Sequence, residues 1–579
     1  MNTKWMQRMK KADFNLLSKK YGVDPLVIRL MVNRGIETEY KINEYLNGTW
    51  EDISEPWKLK DMNRAVMLLM DNRDEKVAMS SDFDCDGIFS AYILEQGLMR
   101  LGISSELFAP ERIAEGYGLN QRIVDEAKEK GCQVILTCDN GIAAVDEIRY
   151  AKDQGFSVIV TDHHEVQEHL PEADAIINPK QEDCFYPFQG LCGAGVAFQL
   201  VLALYEQAGI LREEAECLLP FVAMATIADV MDLTGENRLL VKAGLSRIQQ
   251  TENLGLRALM KAQGLEEKKI CSYHIGFVLG PCFNASGRLE TVDLAFQLLH
   301  SEGEKTAERV AIELKELNDL RKQMTEEGTL KAIQLIQEQG LLVHKVLVVL
   351  LEDCHESLVG IIAGRLKEKY NRPVIIFTSV QGGLAKGSGR SIPCYNMFEK
   401  LMECKDLMIR FGGHAMAAGM TLKESDVSVL CERLNKNSNL KIEDLKRVIE
   451  IDAAMPFSYI SESLIEQLSL LEPFGKGNEK PVFAGAHFRI LRGQKRGKDG
   501  RVLSLQLMDR DGTRFNGVMF RQVEEFEEYL VEQFGEEQVE RMYQGRTNQI
   551  DIGLVYYPSI NEYRGCREIE VHIQDFQRF

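Results

Sequence analysis

The run Val77-Ala78-Met79-Ser80-Ser81-Asp82-Phe83-Asp84-Cys85-Asp86-Gly87 decides the fold. An apolar stretch of strand length ends abruptly in three alternating carboxylates, and a helical pattern starts at Ile88 immediately after them. The same logic returns in Val134-Ile135-Leu136-Thr137-Cys138-Asp139-Asn140-Gly141, again followed by a helical pattern, and in Val158-Ile159-Val160-Thr161-Asp162-His163-His164-Glu165. Buried strands alternating with helices predict a parallel, doubly wound α/β sheet. Ligands of such sheets bind beyond the carboxyl ends of the strands, so the polar clusters are expected to converge.

Three carboxylates within five residues repel one another unless a cation sits among them, and hard divalent cations take oxygen ligands. An EF-hand calcium loop opens in the same way but needs a glutamate at its twelfth position, which here is Ile93. Asp162-His163-His164 adds imidazole to the oxygen donors, a mixture that suits Mn²⁺ better than Ca²⁺. In Ala225-Thr226-Ile227-Ala228-Asp229-Val230-Met231-Asp232, Asp229 follows an apolar run, where an unpaired carboxylate is costly. A metal would relieve it; an ion pair with Arg238 is the structural alternative. Two cations about 3.5–4 Å apart would suit hydrolysis of a phosphodiester.

The rest of the chain sets bounds on that chemistry. Its 579 residues predict three to four domains, and a content of 45% hydrophobic and 27% charged residues excludes disordered, collagen-like and membrane classes. No apolar run reaches the roughly 18–20 residues of a membrane span and Met1–Asn15 lacks the apolar core of a leader, so a cytoplasmic protein is expected. Thirteen cysteines without a Cys-x-x-Cys pair predict reduced, mostly buried thiols. A net charge of −19 opposes general coating of duplex DNA and confines any nucleic-acid contact to a groove.

Residues 1–70 are helical in pattern, and 305–338 read as one long connecting helix. A second α/β pattern starts at Val346, and short alternating runs after about residue 450, broken by a helix near Val523–Gln533, predict a small antiparallel barrel. The basic stretch Arg489–Arg501 reads as a hairpin tip. Lys386-Gly387-Ser388-Gly389-Arg390 offers a cation pair and backbone amides suited to phosphate, and Gly412-Gly413-His414 could act likewise.

The order Asp-x-Asp-x-Asp-Gly, Asp139-Asn140-Gly141, Asp162-His163-His164, Asp229 resembles the DHH phosphoesterase superfamily. Glu115-Gly116-Tyr117, Leu191-Cys192-Gly193-Ala194-Gly195, Thr234–Arg238 and Asn284-Ala285-Ser286-Gly287-Arg288 resemble its bacterial exonuclease branch, as do Leu471–Asn478 and Asn561–Gly565 near the end. The resemblance spans roughly 45–579 and implies an N-terminal helical segment (1–70), a DHH catalytic domain (71–304), a connecting helix (305–340), a DHH-associated domain (341–450) and an OB-like barrel (451–579). It implies two Mn²⁺ or Mg²⁺ ions on Asp84, Asp86, Asp139, His163 and Asp229 with Asp82 close by, and His164, Asp84 and Asp139 in catalysis. Arg288, Asn284, Ser388, Arg390 and His414 would meet the substrate. The implied activity is 5′-to-3′ exonucleolytic removal of mononucleotides from single-stranded DNA in recombination and repair, by a monomer working with a helicase and a single-strand-binding protein. A cyclic-dinucleotide or short-oligonucleotide phosphodiesterase is disfavoured by the barrel, and a metal-free scaffold by the intact acids and histidines. Two positions depart from the pattern: Ser80 stands where a histidine is common and Cys282 where an arginine is expected.

Overall fold

The computed structural model describes residues 3–578 except 112–114, 290, 498–499, 501 and 564–565. The chain divides into two compact units, residues 49–447 and residues 1–48 with 448–579.

In the larger unit, β1 (Lys76–Ser81), β2 (Ser105–Phe108), β3 (Cys132–Cys138), β4 (Ser157–Thr161) and β5 (Ala175–Ile177) form a parallel sheet in the order β2-β1-β3-β4-β5. Alternate residues enter different cores. Val77, Met79, Val134, Leu136 and Ile159 join α1 (Cys85–Arg100), α2 (Gly193–Ala208) and α3 (Leu219–Ala228) on one face. Ala78, Ile135, Val158 and Val160 pack with Ile123, Val124, Ile148 and Ala151 on the other. Burial on both faces is what near-continuous apolar strands require, and the doubly wound expectation holds.

The connecting helix is α5 (Glu304–Glu338), preceded by α4 (Gly280–Leu289). At about 1.5 Å per residue it runs roughly 50 Å. Ala307, Val310, Ala311 and Leu314 belong to the first core, whereas Ala332 and Ile336 belong to that of a second sheet. That sheet is mixed: β6 (Leu347–Leu351), β7 (Val374–Val380), β8 (Leu384–Arg390), β9 (Met408–His414) and β10 (Ala417–Lys423) lie in the order β9-β10-β8-β7-β6, with α6 (Val359–Tyr370) packed against β7 and β8.

In the smaller unit, β11 (Phe483–Arg496), β12 (Val502–Met508), β13 (Arg514–Met519), β14 (Asp551–Tyr563) and β15 (Cys566–Gln577) close into a barrel through the β11–β14 pairing. The helix expected near Val523–Gln533 is α7 (Val523–Phe534). The basic stretch belongs to a hairpin, as expected, but is mostly its strand β11, paired with β12 as far as Arg496 and Val502; Lys498, Asp499 and Arg501 lie outside the described residues. Arg564 and Gly565 of the terminal motif also lie outside them.

The expected N-terminal segment is shared between units. Val27, Ile28, Leu30 and Met31 join Phe457, Phe488 and Leu503 in the barrel's core, and Lys4–Gln7 pairs in parallel with Val448–Ile451. Met62–Asp71 instead packs on the first sheet's core through Met62, Ala65, Val66 and Leu69.

Candidate metal centre

The carboxyl ends of β1, β3 and β4 bring the three polar clusters together, and the C-terminus of α3 adds Asp229. The Nε2 of His163 lies 3.1 Å from Asp139 Oδ1, 3.6 Å from Asp86 Oδ2 and 3.7 Å from Asp229 Oδ2. Asp82, Asp84 and Asp139 offer a second set of oxygens within 4.8 Å of one another. Asp139 thus belongs to both groups, and every acid expected at the centre is present.

Local structure explains the convergence. Asp84 caps α1, its Oδ1 accepting from the amides of Asp86 and Gly87. Both Asp86 carboxylate oxygens accept amides at the start of α2, from Gly193 at 2.7 Å and Ala194 at 2.8 Å. The helix dipole favours an anion there. Gly193 must lack a side chain, because a Cβ would sit 2.5 Å from Asp139 Cβ. Gly287 on α4 is equally constrained: a Cβ would meet the Phe83 carbonyl oxygen at 1.9 Å. Three residues earlier Asn284 accepts the Cys85 amide at 2.8 Å, so α4 clamps the acidic loop from outside. Two strained residues flank the site, Asp139 (φ 65°) and the β-branched Val230 (φ 57°). Such backbone costs about 1–3 kcal/mol and persists where packing dictates it.

Electrostatics distinguish the two histidines. Burial, aided by the neighbouring His164, holds His163 down at about 3, leaving a neutral imidazole that can ligate. Burial also pulls His164 down, but the Asp162 hydrogen bond and charge outweigh it and carry His164 up to about 9. His164 is half-exposed and its Nδ1 lies 2.8 Å from Asp162 Oδ1, whose other oxygen accepts the Ile142 amide. Burial drives Asp86 up to about 6 and Asp139 well above the carboxylate range, with the adjacent acids pushing the same way. Among the described residues no lysine or arginine pairs with Asp86 or Asp139, and Asp139 Oδ1 is buried without a hydrogen-bond donor. Oxygen donors plus a neutral imidazole, with no lysine or arginine on Asp86 or Asp139 among the described residues, fit divalent ions of the Mn²⁺ or Mg²⁺ kind.

The sequence assigns Tyr117 a motif but no role. Its hydroxyl donates to the Asp139 carbonyl at 2.7 Å and lies 3.1 Å from His164 Nδ1, bracing the exposed histidine. Only its place between glycines hinted at this. The orienting function of Asp162 was missed as well, although the residue stood inside the motif.

The expected substrate residues group differently. Arg288 donates to the Ser357 carbonyl at 3.1 Å, just before α6. On β8, Lys386, Ser388 and Arg390 share one face, where Arg390 donates to Ser388 Oγ at 2.9 Å and Lys386 pairs with Glu356 at 2.7 Å. A Cβ at Gly360 would sit 2.9 Å from Arg390 Nη2, placing this face against the start of α6. The amide cradle expected at Lys386–Arg390 is corrected: β8 is paired on both sides, so its backbone is used by the sheet and side chains alone remain. His414 is exposed at the end of the edge strand β9. Cys282 points into packing, with Sγ 3.2 Å from Gln263 Nε2 and 3.4 Å from Asn318 Nδ2; buried Ser80 Oγ has no hydrogen-bond partner among the described residues.

A doubly wound sheet bearing acids and histidines at its strand ends, joined by a long helix to a mixed sheet, defines a DHH-type α/β protein. Accordingly, the DHH family N-terminal domain matches residues 76–226, the DHHA1 domain 343–439 and the RecJ OB domain 451–575. The single-stranded-DNA-specific exonuclease RecJ of Salmonella typhimurium is 32% identical over 575 residues, covering 95% of each chain. That of Bacillus subtilis is 39% identical over 481 residues, covering 82% of this chain, which spans 60% of that relative's length. The crystal structure of RecJ in complex with Mn²⁺ from Thermus thermophilus superposes with a TM-score of 0.81 at 26% identity, covering 99% of this chain and 79% of that one. The chain belongs to the RecJ family.

Proposed function

We propose that this chain is a divalent-metal-dependent exonuclease that removes mononucleotides from the 5′ end of single-stranded DNA. The observation that carries the reading is the closure of five carboxylates and an imidazole around two adjoining donor groups, with Asp139 common to both. Asp86, Asp139, His163 and Asp229 would hold one Mn²⁺ or Mg²⁺, and Asp82, Asp84 and Asp139 a second. When bound, such a pair lowers the pKa of the attacking water and offsets charge on the scissile phosphate.

The chain's own residues orient the reaction. Asp162 accepts His164 Nδ1–H, which leaves Nε2 to hold a proton for the leaving oxygen, while Tyr117 limits the ring's rotation. Arg390, Ser388 and Arg288 bind the terminal phosphate, and His414 the backbone beyond it. Asn284 serves the substrate indirectly, by fixing the loop that carries Asp84. In this reading residues 71–304 are the catalytic domain and 451–579 guide the strand. The protein works as a cytoplasmic monomer on strands opened by a helicase and held by a single-strand-binding protein; no helix among the described residues is long and apolar enough to cross a membrane.

The test is incubation of purified protein with Mn²⁺ and single-stranded, duplex and dinucleotide DNA labelled at either end. Mononucleotides released only from the 5′ end of the single strand are expected. Release from the 3′ end, or equal digestion of duplex, overturns the assignment.

A further inference from the structure

The helix that bears Asn284 and Arg288 has an unusual beginning. Ahead of α4, Ser272–His274 form one helical turn and Ile275–Leu279 wind as a π-helix, a wide turn that recurs at functional sites. Tyr273 and Phe277 project from this segment, 59% and 65% exposed, with ring centroids 5.1 Å apart and planes 27° from parallel. The two rings form a small contiguous aromatic surface whose outer face is open to a planar ligand.

Its surroundings indicate the occupant. The adjoining side of the segment is pressed onto the end of α3: a Cβ at Gly276 would lie 3.5 Å from Ile227 Cγ2, and one at Gly280 3.3 Å from Ala228 Cβ. Ala228 directly precedes Asp229, so the segment that bears the rings adjoins an element that supplies the candidate metal centre. Along the same helix, at about 1.5 Å per residue, Arg288 lies roughly 16 Å beyond Phe277, with Asn284 between them. Lys268 and Lys269 precede the aromatic pair in sequence, and Lys268 is close enough to His274 to add to the effect of burial in lowering that imidazole's pKa. A single helix therefore presents a guanidinium at one end, contacts the acidic loop in its middle, and offers stacked rings with nearby cations at the other.

We infer that Tyr273 and Phe277 form a base-stacking platform for the single strand on the 3′ side of the scissile bond. The inference rests on the exonuclease reading. The outer face of the ring pair takes a nucleobase, extending a stack already begun between the two side chains, while Lys268 and Lys269 meet the adjoining phosphates. Every base has such a face, so the platform is indifferent to sequence. In a duplex both faces of an internal base are covered by its neighbours, so the platform also favours unpaired DNA.

Steady-state kinetics of the full chain with Mn²⁺ test this, using a 5′-phosphorylated dinucleotide and a strand of about twenty nucleotides. For the double variant Tyr273→Ala/Phe277→Ala, kcat/KM on the long strand is expected to fall about tenfold or more relative to kcat/KM on the dinucleotide, chiefly through KM. Tyr273→Trp/Phe277→Trp restores the ratio. Independently, 2-aminopurine placed a few nucleotides from the 5′ end is quenched on binding the wild-type chain and not on binding the alanine variant. A wild-type enzyme that digests both substrates, with a length ratio unchanged by the alanine pair, overturns the platform alone; that is also the result if the rings dock a protein. A wild-type chain inactive on both substrates overturns the exonuclease reading and the platform with it.

Discussion

The two sheets of the larger unit present polar residues in opposite ways. In the parallel sheet the acids sit just past the strand ends, where side chains and backbone alike are released from the ladder. Asp86 can therefore take two amides of α2 while Asp139 adopts a left-handed backbone. In the mixed sheet Lys386, Ser388 and Arg390 stand along the face of β8, whose backbone is fully engaged on both sides. Strand ends can crowd like charges tightly enough to require foreign cations, whereas this strand face sets Lys386 and Arg390 four residues apart with Ser388 between them. One arrangement suits chemistry and the other grip.

Sharp differences should follow when each is disturbed. Asp139→Ala or His163→Ala should lower kcat by about a thousandfold or more and abolish calorimetric Mn²⁺ binding, with circular dichroism unchanged. Retained activity would erase the distinction between the sheets. Gly287→Ala, which forces a methyl into the Phe83 carbonyl, should destabilise by about 1–3 kcal/mol in denaturant melts and weaken metal binding without touching any ligand. Arg390→Ala should raise KM for a 5′-phosphorylated strand about tenfold to a hundredfold, with a smaller change in kcat and less discrimination against a 5′-hydroxyl strand. An equal loss in kcat would make the second sheet part of the chemistry.

The acid cluster also has a signature in pH. Because Asp86 rises to about 6 in the folded, metal-free chain, the folded state holds a proton that the unfolded chain releases nearer pH 4. Metal-free stability should therefore decline as pH climbs through that window, and Mn²⁺ should reverse the decline. Conversely, Mn²⁺ affinity measured by calorimetry should weaken by up to about tenfold for each pH unit below 6. Tyr117→Phe should have the smallest effect, about threefold to tenfold in kcat, since it frees one ring without removing a ligand.

Much of the centre was legible because strand period and abrupt acidity coincide: Asp82, Asp84, Asp86, Asp139 and His163 all lie where an apolar run stops. The helix expected over 305–338 occurs as Glu304–Glu338, since a charged, almost Pro- and Gly-free stretch leaves few alternatives. Lys386–Arg390 misled because its glycines suggest a loop. In the sheet they are the small alternate positions across which Phe377 and Met397 pack. The strand Lys4–Gln7 was invisible, because its hydrogen-bonding partner lies more than four hundred positions away and no local pattern announces it. Asn284 reads as a substrate contact, yet its carboxamide accepts the Cys85 amide on the acidic loop; sequence order cannot tell a clamp from a contact.

That distant pairing has a consequence for biogenesis. Residues 1–48 cannot complete their hydrophobic core until Val448–Ile451 and the barrel strands have been synthesised, whereas the larger unit is contiguous from Thr49 to Arg447 and can collapse as it emerges. Val27, Ile28 and Met31 thus wait uncovered while the whole of the larger unit is made, a delay in which their apolar surface is open to non-native contacts.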